Sequence, residues 1–414
     1  MSSPRRRPRV ASGWALLGPA FVASVAYVDP GNVAANLTAG SRYGYALVWV
    51  LVAASGMAML IQYQSAKLGL VTGRTLPQLM HARLEGKPWR GVVSVGYGVQ
   101  AFVIAVATDL AEVVGGALAL YLMFGTPLWL GGLIVGAVSV WLLWALRSHG
   151  ERTFEIAITA ILALICAGFL GALLWAPPDW RAAVGGLAPG IPAADAWPLV
   201  AAMLGATVMP HAIYLHSALA IDRHRPTGRL LVPLRRLLRI QKADVVLALL
   251  LSGSVNIGML LLAAAALRGQ AGDTIEAAFA TITEGVGSLP ALVFAVGLLA
   301  SGVGSAVVGT HAGSRILKDL IGFPIAPTWR RIITVGPAML LLTLGAAPTE
   351  VLVWSQVVLS FGVALAAAPL ADFTGDRRLM GEFVDPLWKR LLNWAIVATI
   401  VALNVVMIGW TLSH

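Results

Sequence analysis

About eleven apolar runs of roughly 20 residues, the length a membrane helix requires, follow one another along this chain. They lie near 14–37, 45–70, 92–122, 128–146, 154–176, 196–220, 244–267, 288–318, 330–346, 350–371 and 390–412. Nothing in the sequence constrains the fold more. Inside a bilayer every backbone N–H and C=O must find its partner within the protein, so runs of this length span as α-helices. Charged residues make up only 12% of the 414 residues and hydrophobic ones 58%, whereas a soluble domain carries about 25% charge. No stretch between the runs is long enough for a separate soluble domain. The sequence predicts an all-α integral membrane protein: a basic tail over 1–13, then a single transmembrane domain over 14–412. The first run is too long, and too polar at Asp29-Pro30-Gly31-Asn32, to be a cleaved signal peptide.

The net charge of +10 raises nucleic acid as a partner, but its distribution argues for a membrane topology instead. Arg5, Arg6, Arg7 and Arg9 mark a cytoplasmic N-terminus by the positive-inside rule. Alternating from there, the loops at 71–91, 147–153, 221–243, 319–330 and 372–389 are expected to be cytoplasmic. With the tail and adjoining span ends they hold every Lys and Arg except Arg42, Arg181 and Arg268. The other face carries Asp179, Asp195, Asp273, Glu276, Glu284 and Glu350, which raises local cation concentration modestly. An odd span count places the C-terminus outside an inner membrane. The single cysteine, Cys166, sits in the fifth run, with no second cysteine for a disulfide or a thiolate metal site.

Two runs are interrupted by proline: Asp29-Pro30-Gly31-Asn32 in the first and Met209-Pro210-His211 in the sixth. Proline removes an N–H and clashes with the preceding turn, and Gly31 adds backbone freedom. Carbonyls freed in lipid cost several kcal/mol each unless they are bound or line a cavity. Broken helices at matching places in two halves mark a transporter's substrate site. Spans one to five (about 14–176) and six to ten (about 196–371) form such halves, each opening on its broken span. An odd number of spans inverts the second half relative to the first, and the eleventh (about 390–412) lies outside the repeat. The site would hold the Asp29 carboxylate, the Asn32 amide, the Met209 thioether and freed carbonyls, a ligand set suited to a transition-metal cation. A mid-membrane carboxylate costs at least about 2.5–3.5 kcal/mol, so Asp29 is expected to work as ligand or proton acceptor, its structural alternative being a helix cap. Asn32, one turn on, offers an oxygen on the same side. Thioether sulfur is soft and favours Mn, Fe, Co or Cd over Ca and Mg.

Other features carry less. The stretch Ile221–Lys242 interleaves basic and aliphatic residues, so either a short amphipathic helix at the headgroup layer or a topogenic loop is expected. The small-residue run from Ala300 to Ala306 points to close helix packing. His211 and His216 are five apart and diverge by about 140° on a helix, a poor two-histidine metal site. Asp109 and Glu112 share one face of the third span and need cationic partners, for which Arg330 and Arg331 are the candidates. A static network fixing helix packing remains the alternative.

Ala26-Tyr27-Val28-Asp29-Pro30-Gly31-Asn32 and Met209-Pro210-His211-Ala212-Ile213-Tyr214-Leu215-His216-Ser217-Ala218 resemble the signatures of the Nramp family of proton-coupled divalent metal transporters. Supporting likeness runs through 61–69, 107–112 and 355–362. Ala212-Ile213 departs from the Asn-Leu common there. The resemblance implies a LeuT-like fold, alternating access, and Mn2+ or Fe2+ (also Cd2+ or Co2+) as cargo, with no resident cofactor. It implies Asp29, Asn32 and Met209 as metal ligands, with the Ala26 and Ala206 carbonyls as further ones. Gln356 reads either as an amide-oxygen ligand in one conformational state or as a helix–helix hydrogen bond. Asp29, His211, Asp109, Glu112, Arg330 and Arg331 would carry the proton, His211 with a purely interhelical role as its alternative.

The expected function is import of a divalent transition metal with a proton. The expected partners are metal ions, protons and lipid, with no nucleic acid and no obligate protein. A LeuT-like amino-acid or organic-solute symporter is the main rival, but Asp29 would repel a carboxylate substrate. A membrane-embedded metalloenzyme would need clustered histidines or carboxylates with a general base, and the histidines here are scattered. A cation channel would lack saturable, proton-dependent uptake.

Overall fold

Every apolar run forms helix in the computed structural model, which describes residues 18–413 apart from 149–150, 175, 226–227, 229, 231, 269–271, 286 and 322–326. The basic tail expected over 1–13 lies outside the described residues. The first run is split into α1 (Pro19–Val25), a 3₁₀ turn (Ala26–Val28) and α2 (Pro30–Tyr43). There follow α3 (Val48–Thr72), α4 (Leu76–Leu84), α5 (Arg90–Phe124), α6 (Leu128–Ser148), α7 (Glu151–Ala172) and α8 (Trp180–Gly185). The sixth run is likewise split, into α9 (Trp197–Thr207) and α10 (Pro210–His224). The chain continues through α11 (Leu234–Ala266), α12 (Ile275–Gly285), α13 (Ser288–Ile321), α14 (Pro327–Thr343), α15 (Pro348–Gly375), α16 (Arg377–Met380) and α17 (Leu387–Ser413). There is no strand among the described residues.

Nine helical stretches among the described residues are long and apolar enough to cross a membrane. The two runs outside that set are the broken first one and α14, which is 17 residues long. Both splits fall where the sequence puts proline, and each Pro occupies the first position of the following helix, where its missing N–H has no partner to lose. Elsewhere the ends follow local chemistry. Gly73 and Gly125 take left-handed conformations that stop α3 and α5. Thr75 and Gln78 form a reciprocal capping box that starts α4.

The stretch read either as a short interfacial helix or as a topogenic loop forms no separate helix among the described residues. Residues 234–242 are the first turns of α11, which begins ten residues earlier than hydropathy placed it. Its aliphatic residues keep the helical period of the following run. Leu237 and Leu238 pack with Ala66 and Leu70 of α3 and Ala220 of α10, so basic residues ride on a core helix. The small residues of α13 pack as expected: Gly302 lies against Gly116 and the Glu112 carbonyl of α5.

The polar contacts sort the loops into two sets. On one face Thr75 Oγ1 donates to Asp319 Oδ2 at 2.9 Å, Arg83 pairs with Asp372 at 3.3 Å, Arg235 with Glu382 at 2.6 Å and Arg315 with Asp222 at 3.2 Å. On the other, Asp179 N–H donates to the Tyr45 hydroxyl at 3.0 Å, Thr38 Oγ1 to the Asp273 carbonyl at 3.0 Å and Thr349 Oγ1 to Glu276 Oε2 at 3.0 Å. The first set joins loops expected to be cytoplasmic, the second loops expected to be external.

Candidate metal-ion site

The two breaks meet inside the helix bundle. Pro30 cannot donate to the Ala26 carbonyl four residues back, nor Pro210 to that of Ala206, so each break leaves one backbone oxygen without its helical donor. Asp29 stands at the N-cap of α2 in extended conformation, and its Oδ1 accepts from Asn32 N–H at 2.9 Å. The capping role therefore accounts for one oxygen. The same Oδ1 accepts from Asn32 Nδ2 at 2.7 Å, and that Nδ2 also donates to the Ala206 carbonyl of α9 at 3.0 Å. One amide nitrogen thus bridges the carboxylate of the first break and the freed carbonyl of the second. The other oxygen, Asp29 Oδ2, accepts from Gln356 Nε2 of α15 at 3.2 Å.

These groups are all buried, as are Met209 and Ala26, so the site is closed to bulk solvent in this conformation. Met209 is the extended N-cap residue of α10, three residues beyond Ala206. Two acceptor oxygens, Asn32 Oδ1 and Gln356 Oε1, are buried with no hydrogen-bond partner among the described residues. A buried acceptor left unpaired costs about 1–3 kcal/mol, and two such oxygens stand beside the Asp29 carboxylate. Gln356 is held close by two glycines. A Cβ on Gly31 would land on its amide, and one on Gly205 would strike its backbone carbonyl and Ser360 of the same helix.

The remaining carbonyls of the first break are bound within the protein. Asn256 Nδ2 of α11 donates to the Tyr27 carbonyl at 2.8 Å, and Ser301 Oγ of α13 donates to that of Val28. Asn256 Oδ1 in turn accepts from Asn36 Nδ2 at 3.1 Å. The bent backbone is fixed by side chains from two other helices.

A second buried cluster lies on α5, next to the first break. Arg331 Nη1 of α14 donates to Asp109 Oδ1 at 2.5 Å and to Glu112 Oε2 at 2.7 Å. Thr334 also donates to Asp109, and Arg331 Nη2 donates to Ser139 Oγ at 3.2 Å. Arg330 lies 3.6 Å from Asp109 and reaches the Gly309 carbonyl of α13 at 3.4 Å. Glu112 Oε1 has no partner among the described residues. Two contacts connect this cluster to the breaks. Pro30 packs where a Cβ on Gly115 of α5 would be, and His211 Nδ1, next to the second proline, lies 3.4 Å from Thr108 Oγ1, next to Asp109. Sequence spacing brought the two acids to one face. Ser139 and Thr334 carried no comparable signal, although Thr334 follows Arg330 by one helical turn.

A sequence profile of the family described as natural resistance-associated macrophage protein-like (Nramp) matches residues 20–409. The chain belongs to the Nramp family. It is 48% identical over 410 residues to a divalent metal cation transporter of Mycobacterium tuberculosis, covering 98% of this chain and 94% of that one. A crystal structure of an Eremococcus coleocola manganese transporter superposes with a TM-score of 0.80 at 27% identity, over 97% of this chain and 88% of that one. Mhp1, a nucleobase-cation-symport-1 family transporter in a closed conformation, shares the fold alone, with a TM-score of 0.59 at 17% identity over 98% and 95% of the two chains. The all-α fold expected from the sequence is thus shared with Nramp structures and with a transporter of another substrate class.

Within this Nramp chain a further polar line runs beside the site and was not legible as a unit in the sequence. Gln62 of α3 donates to the Tyr27 hydroxyl, and its Oε1 lies 2.7 Å from His216 Nδ1. His216 Nε2 is 3.2 Å from Gln241 Nε2, which also donates to Asp244 Oδ2 at 3.2 Å. Asp244 accepts from the N–H groups of Gly18 and Ala20 at the start of α1, at 3.1 and 3.0 Å. His216 thus sits between two glutamines, away from His211, and the two histidines do not form a metal site together.

Proposed function

We propose that this chain imports a divalent transition metal ion together with a proton across the inner membrane by alternating access. The observation that supports this reading best is the convergence of Asp29 Oδ1 and the Ala206 carbonyl on one amide nitrogen of Asn32, beside two unpartnered acceptors. An amide donor there occupies the place of a cation. When a metal ion arrives, the Asn32 amide turns so that Oδ1 joins Asp29 and Ala206, and Met209 supplies the soft ligand that favours Mn2+, Fe2+, Co2+ or Cd2+. Ala26 and Gln356 complete the shell. The metal is cargo, not a resident cofactor.

The same reading assigns repeat one to about 14–176, repeat two to about 196–371 and the extra helix to about 390–412, with the N-terminus cytoplasmic and the C-terminus outside. His211, Asp109 and Glu112 take up and pass on the proton that leaves Asp29, and the Arg330 and Arg331 guanidiniums, always protonated themselves, balance the charge of the two acids. Uptake into proteoliposomes under an imposed pH gradient, with Mn, Fe, Cd, Mg and Ca in competition, tests the proposal. Saturable Mn uptake that follows the gradient and that Cd and Fe inhibit is expected. Uptake that neither saturates nor responds to the gradient would replace the carrier with a channel.

A further inference from the structure

Helix α17 lies outside both halves expected from the sequence, yet a buried charge ties it to α3. Asp385, in the connection leading into α17, is 2% exposed. Its Oδ1 accepts from Lys67 Nζ at 2.6 Å, and its Oδ2 accepts from Gln64 Nε2 at 2.6 Å and Asn393 Nδ2 at 3.4 Å. Its backbone N–H donates to the Thr374 carbonyl at 3.1 Å. Gln64 and Lys67 share a face of α3, Thr374 lies in the last turn of α15, and Asn393 is on α17, so one residue joins three helices, its carboxylate holding α3 and α17 and its backbone N–H the end of α15. On its other side α3 is fastened to α10. Ser65 Oγ donates to the Ile213 carbonyl at 2.6 Å, and Gly69 packs directly on the Ser217 backbone. Met209 is the N-cap of α10.

Two features separate this junction from plain helix packing. Apolar residues of similar volume hold such a place as well as a buried ion pair does, so the charges specify geometry more than they add cohesion. The packing is also incomplete. Gln64 Oε1 has no partner among the described residues, and a cavity of 10 Å³ bounded by Gln64, Ala371 and Asn393 lies beside it, room for a single water.

We propose that Asp385 is a positioning residue for transport: through Lys67 it braces α3, and with it the half-helix α10, against α17 and the end of α15. The brace governs the exchange between outward-open and inward-open states, not the affinity for metal. It rests on the transport reading above. Mn uptake at saturating metal, Mn binding in detergent and a melting curve are measured for the parent protein, Asp385→Asn, Lys67→Met and the double variant Lys67→Met/Asp385→Leu. Parent protein that takes up no Mn refutes the transport reading, and the brace with it. Given parent uptake, the brace predicts that all three variants bind Mn within about twofold of the parent but turn over at least about tenfold more slowly per folded molecule. The double variant leaves no unpaired buried charge, so it separates turnover from folding. Parent-like turnover in the double variant, or variant losses that simply track Mn binding or the folded fraction, overturns the proposal.

Discussion

At the scale of single residues, Asp29 and Met209 divide the work of affinity and selectivity. Asp29 is the only anion among the groups that meet at the breaks, and both its oxygens already accept hydrogen bonds. Asp29→Asn keeps the shape and removes the charge. Since changing a residue that merely supports a ligand costs about 10–100-fold in metal affinity, this variant is expected to lose more than about 100-fold, read by calorimetry at matched folding. Wild-type-like Mn uptake would overturn the site. The same carboxylate sets the sign of the pH effect. Metal needs it ionised and protons compete for it, so Mn affinity weakens as pH falls. The slope between two acidic pH values should flatten in whatever binding Asp29→Asn retains. Met209→Ala removes the soft ligand and leaves an oxygen-dominated shell. Cd affinity should drop about tenfold, ~1.4 kcal/mol, Mn affinity less, and rejection of Ca and Mg should relax. A variant that excludes Ca as well as its parent would move selectivity from sulfur to cavity size.

At the scale of elements, the junction of α9, α2 and α15 depends on missing side chains. Gly205 of α9 lies against the Gln356 carbonyl and the Ser360 backbone, neither of which can swing aside. Gly205→Ala is expected to force α9 and α15 apart, costing about 1–3 kcal/mol as overpacked cores do and moving Gln356 from Asp29. Gly31→Ala meets the Gln356 side chain from its amide to Cγ but none of its backbone, so it should cost less stability than Gly205→Ala and act mainly on metal binding. Melting curves with Mn titrations of the two variants separate these effects. The breaks themselves were legible in the sequence because proline acts on its own chain: the donor it lacks is its own N–H, and the carbonyl this strands is four residues back whatever the tertiary fold. The partners that stabilise the break were not legible. Asn256 and Ser301 read as ordinary polar residues in apolar runs, and they reach the Tyr27 and Val28 carbonyls across separations of 229 and 273 residues. The start of α11 was misplaced for a related reason. Its basic residues look like a loop in a hydropathy window, while the face carrying Leu237 and Leu238 is core.

At the scale of the whole molecule, two buried clusters share one helix wall, and their chemistry differs. The breaks gather neutral oxygens, one carboxylate and a thioether, whereas the cluster one helix away pairs Asp109 and Glu112 with Arg331 and keeps Glu112 Oε1 unpartnered. The proton displaced from Asp29 by a metal ion needs an acceptor at a depth where water is scarce. His211 and Thr108 lie between the two clusters, and an acid whose second oxygen is free can take the proton while its first stays on the arginine. Glu112→Gln removes that acceptor and keeps the shape and one oxygen for Arg331. The expected outcome is Mn affinity close to the parent's, with pH-driven uptake weakened by about 100-fold, the lower end of what a positioned proton-transfer group contributes, and proton flux uncoupled from metal flux. A packing strut predicts something else. Weakening a buried charge pair would then lower the melting temperature and the metal uptake together, with the proton-to-metal ratio untouched. Both fluxes measured in one liposome preparation, with a melting curve of the same protein, separate the two. A fall in the proton-to-metal ratio at unchanged melting temperature assigns Glu112 to the proton route, and an unchanged ratio with a lowered melting temperature assigns it to the scaffold.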